Sequence, residues 1–160
     1  MRTWMTMALI MMITASGWNG AKIHREIPVH YIAQEEYIAE GQRIAYLLAK
    51  LTMAEAEGES LEGKAAVVKV AMNRVASDDF PDTAEEVILQ PGAFCTAPNG
   101  RYWSVEPNED CYVAVQMVWE GWTNDTVAEA LYFESSNDPN VWHATHLEYT
   151  GSIGAHKFYK

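Results

Sequence analysis

Residues 54–67 read AEAEGESLEGKAAV, a run that contains four glutamates, Glu55, Glu57, Glu59 and Glu62, within eight residues. Apolar patterns with helical spacing flank this acidic run on both sides. Because glycine is a poor helix former, Gly58 is expected to end the first helix and separate it from the second. The run therefore predicts a helix–turn–helix unit whose acidic turn lies between two packed helices.

Glu55 is the carboxyl of this run that is best suited to chemistry. It follows Leu51 by four residues and Leu48 by seven, so a continuing helix places it on their face. That face also carries Tyr37 and Ile44 and is apolar. A carboxyl at the end of an apolar face is desolvated and can hold a proton near neutral pH, as a general acid must. The alternative is a solvated helix end that happens to be acidic.

Periodicity and capping signals predict four helices, over residues 33–54, 61–76, 84–89 and 111–120. Ser60 is the expected N-cap of the second helix, Thr83 forms a capping box with Glu86 for the third, and Asp110 is placed to cap the fourth. Small residues allow the second helix to pack closely, which predicts that it is the buried central helix.

The other segments have little helical periodicity. Residues 92–109 are expected to form an irregular or hairpin-like loop. Residues 131–133 resemble an extended segment, and residues 153–158 alternate apolar and other side chains, which predicts a strand close to residue 160.

Composition limits the possible partners. The 160 residues are 49% hydrophobic and 21% charged, as expected for one globular domain with a real core. A net charge of −11 and the lack of a basic stripe argue against nucleic acid as a partner. Six Trp and eight Tyr suit a carbohydrate or partner groove, although core filling explains them equally well.

The first residues are typical of a targeting segment. Arg2 precedes an apolar run over residues 5–15, which small residues follow, so residues 1–21 are expected to be a signal peptide or signal anchor. The alternative is a Met-rich N-terminal extension. Residues 22–32 are expected to be a linker, and residues 33–160 the folded domain. The protein is therefore predicted to be exported (extracellular, periplasmic or in the cell wall), with the N-terminal segment as its only membrane contact and a possible transient anchor.

The chain has two cysteines, Cys95 and Cys111. An even number of cysteines together with an export signal predicts one disulfide. By the chain-entropy estimate, closing a loop of this size would stabilise the fold by about 3 kcal/mol. Without an oxidising compartment, both residues would be free thiols.

Several ordered blocks carry a resemblance to a known family. They are residues 54–59 (AEAEGE), 62–67 (EGKAAV), 73–75 (NRV), 80–83 (FPDT), 87–88 (VI), 90–94 (QPGAF), 130–133 (ALYF) and 153–158 (IGAHKF). Over about residues 50–160, the chain resembles the catalytic domain of the SleB-type cell wall hydrolases, which include spore cortex-lytic enzymes and bacterial and phage relatives. Eight blocks in this order are specific for the family, whereas any one block alone would be weak evidence for it.

The resemblance implies an α+β, mostly helical, lysozyme-like single domain with a small β region beside the substrate groove. It also implies cleavage of the bond between N-acetylmuramic acid and N-acetylglucosamine in peptidoglycan, typically as a lytic transglycosylase. Glu55 matches the family's catalytic glutamate, the same residue that the helix-face argument selects. Glu59 matches the second glutamate of the block and is expected to support the turn by accepting hydrogen bonds.

Six further residues are candidates for substrate contact: Asn73, Phe94, Thr96, Tyr132, Phe133 and His156. Each also has a structural alternative, such as helix-to-loop bracing for Asn73, loop anchoring for Phe94 and a satisfied structural histidine for His156. The family often has Ser or Thr directly after the phenylalanine of residues 90–94. Here Cys95 occupies that position, and Thr96 provides a hydroxyl one residue later.

Alternatives to the transglycosylase remain. A hydrolytic muramidase usually needs a second carboxylate, for which Glu134, Asp138 and Glu148 are candidates unless they are solvated loop acids. A zinc-dependent amidase could use His143, His146 and His156, although their spacing matches no established zinc pattern. A glycan-binding protein without catalysis is a third class. The glutamate mechanism requires no cofactor and no metal, and the expected state is a monomer acting on peptidoglycan strands.

Overall fold

The computed structural model describes residues 29–94, 100–138 and 141–160, with side chains from residue 36 onward. These residues form six helices and three strands: α1 (Val29–Ala56), α2 (Leu61–Val75), α3 (Ala84–Leu89), α4 (Arg101–Ser104), α5 (Glu109–Trp119), β1 (Tyr132–Ser135), α6 (Trp142–His146), β2 (Tyr149–Ile153) and β3 (His156–Tyr159). Among the described residues, no helix combines the length and apolar character that crossing a membrane requires. The expected signal segment lies outside them.

The predicted helix–turn–helix unit is confirmed. α1 ends at Ala56, and the side chain of Ser60 accepts a hydrogen bond from the Gly63 amide, which caps α2. α1 begins at Val29, within the segment expected to be a linker. Local sequence therefore determined where the two helices meet but not how far α1 extends toward the N-terminus.

α2 is the buried central helix, as predicted. One of its faces packs through Val67, Val68 and Ala71 into a core shared with α1, α3, α4 and α5. Ala66 and Val70 contact a second core formed with Val127, Ala130 and Phe158, beside the sheet. Because α2 is rich in small residues, helices and sheet both approach its backbone closely.

The sheet has the strand order β1–β3–β2, with antiparallel pairs. The single strand predicted over residues 153–158 is wrong, because this segment contains the end of β2, a turn and most of β3. Gly154 has φ +55, a left-handed conformation that allows the chain to reverse there. Because apolar and other side chains continue to alternate through the turn, the sequence pattern does not reveal that the chain reverses there.

Two helix predictions need correction between α3 and β1. The N-cap of α5 is Asn108, not Asp110, and its side chain accepts a hydrogen bond from the Cys111 amide. Both residue types can cap a helix, and starting at Asn108 places Glu109 and Asp110 in the first turn, where the helix dipole favours negative charge. The expected loop over residues 92–109 contains the short helix α4.

Candidate active site

A cavity of about 760 Å³ opens where the C-terminal end of α1 meets the sheet. Its walls come from the α1–α2 turn, the last turn of α2, the segment after α3, β1, α6 and the β2–β3 turn. Elements that are distant in sequence therefore converge on the acidic run of residues 55–62.

Glu55 lies in the last turn of α1 and lines this cavity. Leu48 and Leu51 on the same face are completely buried, which confirms that Glu55 ends an apolar face. Tyr37, by contrast, is 81% exposed, so the predicted apolar face does not extend that far toward the N-terminus. Glu55 itself is partly buried, a position from which a carboxyl can reach a ligand while the backbone beneath it is packed.

Two cations hold the backbone around Glu55. The Nε atom of Arg101 donates to the Ala54 carbonyl at 2.8 Å, and the same guanidinium pairs with Glu57. Buried Lys64 donates through Nζ to the Glu59 carbonyl at 2.6 Å. The last carbonyls of a helix have no partner within the helix, so Arg101 supplies a donor to the last turn of α1, which carries Glu55. Lys64 supplies one to the turn that follows.

Glu59 connects this turn to the β2–β3 turn. Both of its carboxylate oxygens lie 3.2 Å from the Ala155 amide, which donates to them. The carboxylate occupies the space above Gly154, where an added Cβ would lie 1.7 Å from Oε2, and it also lies against Gly63. Glu59 therefore accepts hydrogen bonds from the β2–β3 turn, whereas the sequence predicted that its bonds would order the turn after Glu55.

His156 follows that turn and lines the cavity, with only 7% of its surface exposed. Its Nδ1 atom is buried and has no hydrogen-bond partner among the described residues, and Glu59 Oε1 lies 4.0 Å away. Burial lowers the pKa of His156, and the negative charges of Glu59 and Glu55 partly oppose that shift. Its ring contacts Phe133 edge to face at 5.2 Å.

Arg74 is a cavity residue that the sequence analysis did not select. Only 4% of it is exposed, and it donates through Nε to the Leu131 carbonyl at 2.7 Å and through Nη1 to the Ala93 carbonyl at 2.9 Å. Burial lowers its pKa to about 10, while the charges of Tyr132 and Glu55 act in the opposite direction. The available signals were its place in the last turn of the central helix and in the block of residues 73–75 (NRV).

The guanidinium of Arg74 organises the aromatic wall of the cavity. Its Cζ atom lies 4.6 Å from the ring centre of Phe94, 5.1 Å from that of Phe80 and 5.5 Å from that of Tyr132. Phe94 is buried and packs against Phe133 at 6.1 Å. The structure therefore brings Phe94, Tyr132 and Phe133 together in the lining of the cavity.

Asn73, expected to contact substrate, does not line the cavity. Its Nδ2 group donates to the carbonyls of Val127 and Ala130, each at 2.9 Å, and its Oδ1 atom accepts from Lys69. These bonds brace α2 against the segment before β1. Asn73 therefore has the bracing role that was the alternative to substrate contact. Thr96, another expected contact, lies outside the described residues.

Glu134 is not the solvated loop acid that the sequence analysis allowed for. Its side chain is buried, with His143 Nδ1 at 2.8 Å from one oxygen and the Tyr159 hydroxyl donating to the other at 2.6 Å. Burial raises the pKa of Tyr159 to about 12, and the bond to Glu134 adds to the shift. Of the other candidate second carboxylates, Asp138 lines the cavity, whereas Glu148 lies at the surface near Lys160.

The histidines do not form a metal cluster in the part of the chain that the structure describes. His143 is paired with Glu134, and His146 stacks on Trp142. The predicted disulfide is not confirmed. Cys111 is a free, buried thiol whose pKa is raised by burial, and Cys95 lies outside the described residues.

Comparison with known proteins gives one consistent family. The model of a family described as Cell Wall Hydrolase matches residues 58–159. A spore cortex-lytic enzyme of Oceanobacillus iheyensis is 36% identical over 117 residues, which are 71% of this chain and 40% of that protein. A spore cortex-lytic enzyme of Bacillus subtilis is 35% identical over 115 residues, 70% of this chain and 36% of that protein. The chain thus spans about two fifths of the length of these relatives.

Solved structures agree with the sequence matches. The catalytic domain of the Bacillus cereus SleB protein superimposes with a TM-score of 0.66 at 32% identity, covering 74% of this chain and 91% of that one. The catalytic domain of a germination-specific lytic transglycosylase SleB from Bacillus anthracis gives the same score and identity, covering 95% of its chain. The predicted mostly helical, lysozyme-like fold with a small sheet is confirmed, and the chain belongs to the cell wall hydrolase family.

Proposed function

We propose that this protein is a peptidoglycan lytic enzyme that cleaves the bond between N-acetylmuramic acid and N-acetylglucosamine, and that it acts as a lytic transglycosylase. The observation that carries the proposal is the position of Glu55, at the end of a packed helix in the lining of a cavity of about 760 Å³. Membership of the cell wall hydrolase family supports the substrate class.

In the proposed reaction, protonated Glu55 donates its proton to the glycosidic oxygen as the bond from that oxygen to the anomeric carbon breaks. The resulting carboxylate then accepts the proton of the muramoyl 6-hydroxyl, whose oxygen attacks the anomeric carbon and closes a 1,6-anhydro ring. Glu55 ends the cycle protonated, and no water is consumed. One carboxyl acts first as acid and then as base, so the chemistry needs neither a metal nor a cofactor.

The surroundings of Glu55 suit this role. The charge of Glu55 raises the pKa of Arg74 and that of His156, so both side chains lie close to its carboxyl group. Glu59 is engaged by the Ala155 amide, so it positions the turn and leaves the proton transfers to Glu55. The aromatic wall beside Arg74 offers apolar surface to sugar rings.

A hydrolytic muramidase is the second candidate function. It would need a second carboxylate, near the first for retention or farther away for inversion. Glu134 and Asp138 both line the cavity wall, and the two oxygens of Glu134 are engaged by His143 and Tyr159. The setting proposed for either activity is the exported cell wall compartment.

The test is digestion of purified peptidoglycan by the wild-type protein and by Glu55→Gln, followed by mass spectrometry of the muropeptides. Products ending in 1,6-anhydromuramic acid that disappear in Glu55→Gln would support the proposal. Glu62→Gln is the matched control, because Glu62 belongs to the same acidic run but lies exposed, near Asn124. Reducing muramic ends would favour the muramidase, and released stem peptides or a fully active Glu55→Gln protein would refute the role of Glu55.

A further inference from the structure

Helix α6 contributes two cavity residues that the proposed chemistry does not use, Trp142 and His143. Trp142 is 49% exposed although it lies in the cavity wall. Its indole stacks on His146, with ring centres 4.7 Å apart and an angle of 12°, and contacts the edge of His143 at 5.5 Å. The indole is thus held in place by its neighbours while about half of its surface faces solvent.

His143 is held in place by hydrogen bonding as well as by ring stacking. Glu134 lies 2.8 Å from its Nδ1 atom, and the Tyr159 hydroxyl fixes that carboxylate through its other oxygen. The imidazole also stacks on Tyr159, with ring centres 5.7 Å apart and an angle of 24°. A carboxylate on Nδ1 favours the tautomer with hydrogen on Nδ1, which makes Nε2 an acceptor in the neutral ring.

An exposed indole beside an imidazole that Glu134 and Tyr159 hold in the cavity wall matches the chemistry of a pyranose ring. Such a ring has an apolar face of C–H groups and an edge of hydroxyl and N–H donors, and aromatic side chains with a few placed polar groups are the usual lining of ligand sites. Asp138 lines the same cavity and adds a carboxylate nearby. The continuity of this wall with the cavity that contains Glu55 favours a ring of the same glycan strand as its occupant.

We propose that Trp142 and His143 form a binding subsite for one N-acetylated pyranose ring of the glycan strand. This inference rests on the proposed function for the identity of the polymer. Trp142 provides the stacking surface, and His143, positioned by Glu134 and Tyr159, accepts a hydrogen bond from the sugar. Both are binding residues and take no part in the proton transfers of Glu55.

The test measures binding separately from cleavage. In the Glu55→Gln background, we expect Trp142→Ala to weaken the binding of chitotetraose and of purified glycan strands by roughly tenfold, because loss of a central tryptophan contact typically costs that much or more. Trp142→Phe, which keeps a smaller ring, should have an intermediate effect, and His143→Ala should also weaken binding. Trp119→Ala is the matched control, since Trp119 is 48% exposed at the end of α5 and does not line the cavity.

Calorimetric titration gives the affinities, and thermal unfolding checks that each variant is folded. If the folded Trp142→Ala and His143→Ala proteins bind as tightly as the parent, the subsite is refuted. If the wild-type protein cleaves peptidoglycan and the same two substitutions, made with Glu55 intact, leave its KM unchanged, the subsite is wrong and the proposed function stands. If the wild-type protein releases no glycosidic products but binding depends on Trp142, the function fails and the subsite stands.

Discussion

Gly154→Ala should disrupt the connection between the two turns that flank the cavity. Gly154 has φ +55, and an added Cβ would lie 1.7 Å from Glu59 Oε2. The left-handed conformation costs a non-glycine residue about 1 kcal/mol. In addition, the Glu59 carboxylate must move away from the Ala155 amide and lose a charge-assisted hydrogen bond, which is worth about 1.5–3 kcal/mol. The expected loss of unfolding free energy is therefore about 2.5–4 kcal/mol.

Chemical denaturation followed by circular dichroism measures this loss, and two comparisons isolate its origin. Gly121→Ala is the matched control, because Gly121 has φ +97 with open space around it, so only the cost of its backbone conformation, about 1 kcal/mol, is expected. In a Glu59→Ala background, Gly154→Ala should likewise cost only about 1 kcal/mol, because the obstructing carboxylate is gone. Equal losses at Gly154 with and without Glu59 would refute the proposed contact.

Three further predictions follow from the cavity wall. Arg74→Lys should lower the unfolding free energy by about 3 kcal/mol in denaturation experiments, because an ammonium cannot reproduce both buried guanidinium bonds. Since burial lowers the pKa of His156 from 6.5, the unfolded state binds its proton more readily, and stability should decrease as pH falls below 6.5. A His156→Gln protein should lose part of that decrease when denaturation at about pH 8 is compared with denaturation at about pH 5.5, on either side of the ordinary pKa of histidine. Tyr159→Phe removes a donor to buried Glu134 and should cost about 1.5–3 kcal/mol, whereas an unchanged denaturation midpoint would contradict that bond.

Short-range signals in the sequence predicted much of the fold. The break at Gly58, the cap at Ser60 and the cap at Thr83 depend on a few neighbouring residues, and the structure confirms each of them. The start of α5 was misplaced because Asn108 and Asp110 both suit an N-cap, and local pattern does not distinguish them. Helix α6 was missed because it has five residues and none is buried, so it shows no apolar periodicity.

The candidate site was predicted only in part. Placing Glu55 required only the helical repeat relative to Leu48 and Leu51 and the resemblance of its block to a family. The structure adds Arg74 and His143 to the cavity wall and assigns Asn73 a bracing role. These outcomes depend on which segments face each other across the fold, and helical periodicity contains no such information.

By itself, the sequence determined the helix–turn–helix unit, the face of α1 that carries Glu55 and the family to which the chain belongs. Only the tertiary structure decided what surrounds that glutamate. The bond from Ala155 to Glu59 joins residues 96 positions apart, and the bond from Tyr159 to Glu134 spans 25 positions. Helix periodicity and capping act over about one or two turns, whereas these pairs depend on the α1–α2 turn lying against the sheet and on β1 pairing with β3.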